Sequence, residues 1–560
     1  MASGDIVEPP FFPMSQRPFA VALVLALTLG VGPVRTADTA GGIATPDLRE
    51  WLSYLASDDL AGRATYTEGL GLAAGYIAQH LQTWGVKPAG DGDSYLQAVR
   101  VRSVTTTSRS SLTVRVGRQT RTFKDGDGVT FPRNVGAPRT ITLDHVVFAG
   151  YGLNAPGTGH MDFDGHDVAG AAVVYLGQDG PKAVDTTTYR RLLSGRSRYA
   201  TDTQRAAAAL GPVPAQVRGA GATRRTGPDF VTAQRLDLPI PPAANGSDAL
   251  FDFLFSHAPV RYADLKKRAA AGEPLPFFEL DDVALTYTLD NDYTVTRTQT
   301  TQNVVGIVEG TDPALKQTYV AFGAHYDHVG LAETELAADG KRPTPPGRVT
   351  PGQEADRIWN GADDDGSGTV ALMALARAFA QGPRPRRSLL FVWHAGEERG
   401  LLGSRYFADY PTVPMAQVVA QLNIDMIGRN RDDKASEANT VYLVGSDRIS
   451  SELHEVNRAA NAALPAPLTL DYEMNDPADL EQVYYRSDHY SYAAKGIPII
   501  FFTTGLHPDY HANTDEVSKI EFDKLTRIAQ LVYETGRRVA DLDHAPVRDL
   551  KGPRAGKGTR

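Results

Sequence analysis

In the second half of the sequence, histidines and acids cluster just after apolar runs. His325-Tyr-Asp327-His328 follows Tyr319-Val-Ala-Phe-Gly-Ala324, and His394-Ala-Gly-Glu397-Glu398 follows Ser388-Leu-Leu-Phe-Val-Trp393. Asp425 comes soon after Val418-Val-Ala-Gln-Leu-Asn423, and His511 and Asp515 follow the run that ends at Phe502. Between the first two runs lies Asn360-Gly-Ala-Asp363-Asp364-Asp365-Gly-Ser-Gly368, an acidic, turn-rich loop that opens a helical stretch. Each has an ordinary explanation alone: a strand-end histidine hydrogen-bonds, and an acidic Gly-rich loop caps a helix. Together they would converge in one crevice, where like charges need a compensating cation. One carboxylate from each of three places, the acidic loop, the glutamate pair and Asp425, gives three negative charges. Two divalent ions would leave one surplus positive charge for a bridging hydroxide to cancel. Imidazole and carboxylate donors suit zinc, with cobalt or manganese as substitutes. Two such ions about 3.5–4 Å apart acidify a shared water and polarise a carbonyl, so the expected reaction is hydrolysis.

The elements that must position these groups follow from the same apolar runs. Near-continuous apolar strands alternate with helical stretches such as Thr369–Ala380, which predicts an α/β fold with a buried, mostly parallel mixed sheet covered by helices on both faces. In such sheets ligands bind outside the carboxyl ends of the strands, which is where the histidines and acids fall. Two helices open the fold: one begins at Thr45-Pro46-Asp47 with Leu48, Trp51, Leu52 and Leu55 at helical spacing, and one runs over 69–84. From about Ser103 to Thr300 the texture changes to short Thr- and Val-rich runs such as 112–116 and 140–148, with helical stretches near 203–210 and 248–255. This reads as an inserted β-rich domain, with long surface loops over the Pro-, Gly- and Arg-rich positions 212–242.

Composition narrows the chemistry. The chain of 560 residues has no cysteine, so disulfides, thiolate ligands and a cysteine nucleophile are excluded. Fifty-seven basic against 66 acidic residues give a net charge of −9, and no long basic cluster stands out before the last residues, so nucleic acid is not an expected partner. Arg17 precedes an apolar run from Phe19 to Val31 that Gly30, Gly32 and Pro33 break, the pattern of a secretory signal peptide, with Met14 as the expected true start. That run is short of the roughly 20 residues of a membrane span, so the expected location is secreted or periplasmic with no stable span after cleavage. The basic positions 548–560 sit among Gly and Pro and read as a solvated tail.

The motifs Ala324-His-Tyr-Asp-His-Val-Gly330, Asn360-Gly-Ala-Asp-Asp-Asp-Gly-Ser-Gly368, Gly396-Glu-Glu398, Asn423-Ile-Asp-Met-Ile-Gly428, Ser487-Asp-His489 and Tyr510-His511 before Asp515 resemble those of the M28 zinc metallopeptidases, in family order. The resemblance spans about 45–110 and 300–540. It implies the zinc-peptidase fold and an aminopeptidase with two Zn2+ ions per chain acting on peptides. By position it implies that His325 and Asp425 hold one zinc, that Glu398 and His511 hold the other, and that Asp364 bridges them. The choice of Asp364 rests on Ser367 lying three residues beyond it, Asp363 being the alternative. It also implies a cis peptide after Asp364, Glu397 as general base, Asp327 orienting His325, and Tyr510 as a donor to the developing oxyanion. His328, His394, His489 and His507 rank as structural or pocket residues. Ser487-Asp488-His489 is not read as a serine triad, since sequence neighbours do not give triad geometry.

The expected organisation is then a leader over 1–44, a catalytic domain over 45–110 and 300–540, and a tail over 541–560. The insertion, 111–299, resembles a protease-associated domain in Val146-Val-Phe-Ala-Gly-Tyr-Gly152 and Val168-Ala-Gly-Ala-Ala-Val-Val-Tyr175, although Gly170-Ala171 stands where Gly-Lys is usual. The nearest rival activity is a carboxypeptidase or dipeptidase of the same family, which would need a cation such as Arg429 or Arg486 for a substrate carboxylate. A non-catalytic receptor-like protein on the same scaffold would be expected to have lost ligands, and all are present here.

Overall fold

A computed structural model describes residues 42–213, 227–332 and 345–550. The expected signal peptide, positions 551–560 of the tail and part of the 212–242 loops lie outside the described residues. The two opening helices form at Thr45–Leu55 and Glu68–Trp84. The second starts on the hydroxyl of Thr67, which accepts from the Leu70 N–H, and stops at Gly85, whose φ of 75° is left-handed.

The strand-end acids and histidines belong to one mixed sheet. At its centre Ser388–His394, Tyr319–His325, Val418–Ile424 and Ile499–Thr503 pair in parallel, in that order. Asn291–Val308 and Thr440–Val444 flank them antiparallel. The sheet is therefore parallel where the site lies and mixed overall. Within a strand the side chains alternate between two cores. Val320, Phe322 and Ala324 face the helices Thr45–Leu55, Glu68–Trp84, Gly368–Gln381 and Phe522–Asp541. Ala321, Leu390 and Val392 face Phe407 and Tyr492 on the other side. Burial on both faces is why these strands read as unbroken apolar runs. The packing is close: a Cβ on Gly536 of the last helix would come within 2.3 Å of the Phe322 ring, so that helix lies flat on the sheet only because position 536 is glycine.

Leu96–Ser108 and Asn291–Val308 pair antiparallel from Leu96 opposite Val304 to Ser108 opposite Asn291 and carry the chain out of this sheet and back. Between them lies a second sheet, ten-stranded among the described residues, with apolar clusters on both faces. Its strands run from Ser111 to Leu289 in the chain, except that Phe230–Thr232 adds to the first sheet beside Leu96–Ser108. Two local expectations fail here. The run 140–148 forms two strands, Arg139–Leu143 against Val283–Leu289 and Val146–Ala149 against Ala172–Val174. The alanine-rich stretch expected to be helical contains the strand Ala208–Pro212, parallel to Ala172–Val174 and Ala243–Gly246. Ala208, Ala209 and Leu210 are fully buried there, and burial in a central strand outweighs alanine's helix preference of a few tenths of a kcal/mol per residue.

The described part of the expected tail is mostly exposed, and hydrogen bonds anchor it. The carboxylate of Glu452 receives the Val547 N–H and faces His544 Nε2, each at 2.8 Å, and the Leu550 N–H donates to the Ile449 carbonyl. Among the described residues no helix is long and apolar enough to cross a membrane.

Candidate metal centre

Parallel register sets the ends of the central strands side by side. His325 closes Tyr319–His325 and pairs in register with His394, the last residue of Ser388–His394. Glu397 and Glu398 follow that strand, and Asp425 follows Val418–Ile424. The acidic loop enters from the side as a kinked turn over Ala362–Ser367 ahead of the helix Gly368–Gln381.

These groups meet around one carboxylate. Asp364 Oδ1 lies 3.2 Å from His325 Nε2, and Asp364 Oδ2 lies 3.1 Å from His511 Nε2. On the far side of His325, Asp425 Oδ1 is 3.7 Å from the same nitrogen. On the far side of His511, Glu398 Oε2 is 3.0 Å away. His325, Asp364 and Asp425 form one group of potential metal donors lying within 4.8 Å of one another, and His328, Asp364 and Glu398 form a second. All five residues expected to hold metal are thus brought together, with Asp364 in the middle.

The neighbouring aspartates are engaged elsewhere. Asp363 Oδ1 accepts from the Gly428 N–H, and Oδ2 lies 3.2 Å from His507 Nε2. Asp365 accepts from the backbone N–H groups of His325, Gly368 and Met426. Of the three, only Asp364 turns its carboxylate to His325 and His511. The Asp364–Asp365 peptide is cis, as the resemblance implies.

A surrounding frame fixes the loops. Asp515 accepts the N–H groups of both Asp363 and Asp364. The Ser487 hydroxyl donates to Asp425 Oδ2 at 2.6 Å. His325 Nδ1 meets the backbone carbonyl of Asp327 at 3.0 Å, with the Asp327 carboxylate farther off at 3.7 Å. That carboxylate instead accepts from the Thr65 hydroxyl and from the N–H of Glu397, so Asp327 joins the first ligand loop to the glutamate loop. The buried guanidinium of Arg63 donates to the carbonyls of Tyr326, Leu55, Asn360 and Gly361, which clasps the His325 loop to the acidic loop. Sequence reading passed over Arg63 and Thr65, because Arg63 meets its Tyr326 partner across 263 residues.

Two of the histidines ranked as structural keep to the protein interior. His394 Nε2 faces the Tyr492 hydroxyl at 3.3 Å, and His489 Nε2 faces the Tyr484 carbonyl at 2.8 Å. His507 braces Asp363. His328 lies closer to the centre than its rank implied, with Nδ1 3.0 Å from Glu398 Oε1 and 3.8 Å from Asp364 Oδ2. Both His328 and His511 therefore reach Glu398. His511 lines the open cavity beside Glu397 and Asp364, whereas His328 is fully enclosed.

Electrostatics follow from these contacts. Burial alone would lower His511, yet its hydrogen bonds to Asp364 and Glu398 raise it to about 10. Burial would raise Asp364, yet His325 and His511 hold it well below the usual carboxylate range. Burial pushes Glu397 well up, and the charges of Glu398, Asp425 and Asp488 add to that push. Tyr510 is raised by burial and by Asp364, which keeps its phenol protonated. Its ring stacks on His511 with centroids 4.1 Å apart, and Arg486 Nη2 lies 3.3 Å from its hydroxyl.

The residues fit divalent zinc. The donors are imidazole nitrogens and carboxylate oxygens only, and no thiolate is available. Asp364 Oδ2 faces His511 Nε2 at 3.1 Å, and His328 Nε2 is buried without a hydrogen bond. Buried carboxylate oxygens and imidazole nitrogens gathered this closely are positions that a cation satisfies.

The cluster sits where ligands bind in parallel α/β sheets, at the carboxyl ends of the strands. Residues 303–536 match the family model of Peptidase family M28. The chain is similar to leupeptin-inactivating enzyme 1 of Streptomyces exfoliatus, 29% identical over 174 residues, which are 30% of this chain and 35% of that protein. It is also similar to leucine aminopeptidase 1 of Trichophyton equinum, 29% identical over 182 residues, or 31% of this chain and 46% of that protein. The chain therefore spans between a third and a half of the length of these relatives. Among solved structures, an aminopeptidase from Aneurinibacillus sp. strain AM-1 aligns over 92% of this chain and 99% of its own at 18% identity and a TM-score of 0.43.

Proposed function

We propose that this chain is a secreted two-zinc aminopeptidase that removes N-terminal residues from peptides. The observation that carries the reading is the placing of Asp364 between His325 and His511, each flanked by a further carboxylate, beside a cavity of about 210 Å³ that Glu397 and Tyr510 also line. His325 and Asp425 would hold one ion, Glu398 and His511 the other, with Asp364 shared. When bound, two zinc ions acidify a shared water and polarise the scissile carbonyl.

The chain's own groups do the rest. Glu397, held by its N–H to Asp327, accepts a proton from the attacking water and returns it to the leaving amine. Tyr510, protonated and braced by Arg486, donates to the oxyanion that develops on the carbonyl. Ser487 fixes Asp425, and His328 fixes Glu398 from behind. Arg429 donates to Asp433 and Asp509, and Arg486 pairs with Glu481, so each of these two candidate partners for a substrate carboxylate already has an acidic partner. The second sheet is read as a protease-associated-like domain over 111–299, inserted in a catalytic domain over 45–110 and 300–540.

The test is Glu397→Gln assayed on free and N-acetylated peptide amides. The reading expects cleavage of the free amides only, loss on chelation with recovery on added zinc, and a fall of about 10²–10⁴-fold in the variant with zinc retained. Full turnover by the zinc-loaded variant contradicts it.

A further inference from the structure

The cavity that opens on Asp364, Glu397 and His511 is also lined by Met426, Met474, Val483, Phe501 and Leu506 and by Asp479. Four acids beyond the cluster line this cavity, and three are neutralised. Asp432 pairs with Lys434 at 2.8 Å, Glu473 with Arg431 at 3.3 Å, and Glu481 with Arg486 at 2.7 Å. Asp479 has no cation within ion-pair reach among the described residues. Its oxygens accept only the backbone N–H groups of Val483 and Glu481, which fix its direction and leave its charge uncompensated. Arg486, the cation whose field reaches it, is already held by Glu481 and Tyr510.

We infer that Asp479 selects a cationic side chain, lysine or arginine, at the N-terminal residue of the peptide. The inference rests on the aminopeptidase reading and deepens it. Long aliphatic stems pack on apolar surface while their charged heads seek a partner, and one cavity is lined by both: apolar side chains and a carboxylate without a counter-ion. A partly buried carboxylate without a counter-ion costs folding free energy, and a substrate ammonium or guanidinium removes that cost on binding. Burial holds the Asp479 carboxyl above its ordinary range, in keeping with an acid that lacks a cation. Norleucine matches the lysine stem and carries the same α-amine, so comparing the two isolates the side-chain charge.

The experiment measures kcat/KM of the zinc-loaded full chain on lysine and norleucine amides, for the unmutated protein, Asp479→Asn and Asp479→Glu, with melting temperatures alongside. Lysine is expected to be preferred about 10- to 100-fold, the range of a charge-assisted contact, with the preference lost in Asp479→Asn and kept in Asp479→Glu. A protein that cleaves both amides with no preference for lysine overturns the inference without recourse to any variant, as does a preference that survives Asp479→Asn. Zinc-loaded protein that cleaves neither amide overturns the aminopeptidase reading and this inference with it.

Discussion

Asp515 Oδ2 accepts the backbone N–H of Asp364 at 3.1 Å, so one carboxylate holds the peptide on which the central carboxylate of the cluster is mounted. Its two oxygens also take the N–H of Asp363, at 3.1 and 3.0 Å, and the whole arrangement is buried. The position of Asp364 between two imidazoles is thus set by backbone hydrogen bonds as well as by its own side chain.

Asp515→Ala leaves two buried N–H donors without an acceptor, at about 1–3 kcal/mol each. The expected outcome is a lower urea midpoint together with zinc affinity weakened at least tenfold in chelator competition. Asp515→Asn keeps an acceptor and should fall between the two. Unaltered zinc affinity in Asp515→Ala would separate this residue from the centre.

His511 and His328 both face Glu398, and they should behave differently. His511 stands between Glu398 and Asp364 at the cavity wall, so His511→Asn is expected to bind one zinc fewer per chain. His328 touches Glu398 from the enclosed side, so His328→Asn should keep the zinc count and lose affinity, as loss of a group that orients a ligand does, by about 10–100-fold. Equal zinc loss in both variants contradicts the assignment.

Zinc uptake by stripped protein should release protons. With His511 raised to about 10 by Asp364 and Glu398, its imidazole is protonated at neutral pH when no metal is bound and must lose that proton to act as a ligand. Zinc affinity is therefore expected to rise about tenfold per pH unit for each proton displaced, over the window from 6.5 toward 10. The sign reverses for the stability of the stripped protein. A group raised in the fold contributes stability that is full below 6.5 and is lost as pH rises through about 10. Titrations in zinc buffers at several pH values read the slope, and a flat profile would contradict this protonation.

On the acid side, His489 supplies a second pH effect. Burial lowers it to about 3, so between 6.5 and 3 the unfolded chain binds a proton at this position that the folded chain does not. Stability present above 6.5 is then lost as pH falls through about 3, at about 1.4 kcal/mol per pH unit. His489→Gln should start less stable and show an acid slope shallower by one proton. An unchanged slope in urea denaturation at pH 7 and pH 5 would show that His489 titrates normally.

The apolar runs and the residues closing them made the central strands and the cluster legible, because parallel strands in register bring their ends to one level. Asp363, Asp364 and Asp365 could not be told apart by type, and their separation came from backbone partners such as Gly428 and Met426 that lie far along the chain. Arg63 carried no local signal, since three of the four carbonyls it meets lie 263 to 298 residues away. His328 looked like a bystander because sequence gives no direction for its ring. In the second sheet, Ala208–Pro212 read as helix from alanine's propensity, while its burial between two parallel strands is a tertiary property.

The proposed chemistry depends on two ions that share Asp364. Diffraction data collected across the zinc absorption edge from zinc-loaded crystals test it most directly. The account predicts two anomalous peaks about 3.5–4 Å apart, one beside His325 and Asp425 and one beside Glu398 and His511, with Asp364 between them. A single peak, or two peaks that do not share Asp364, would contradict it.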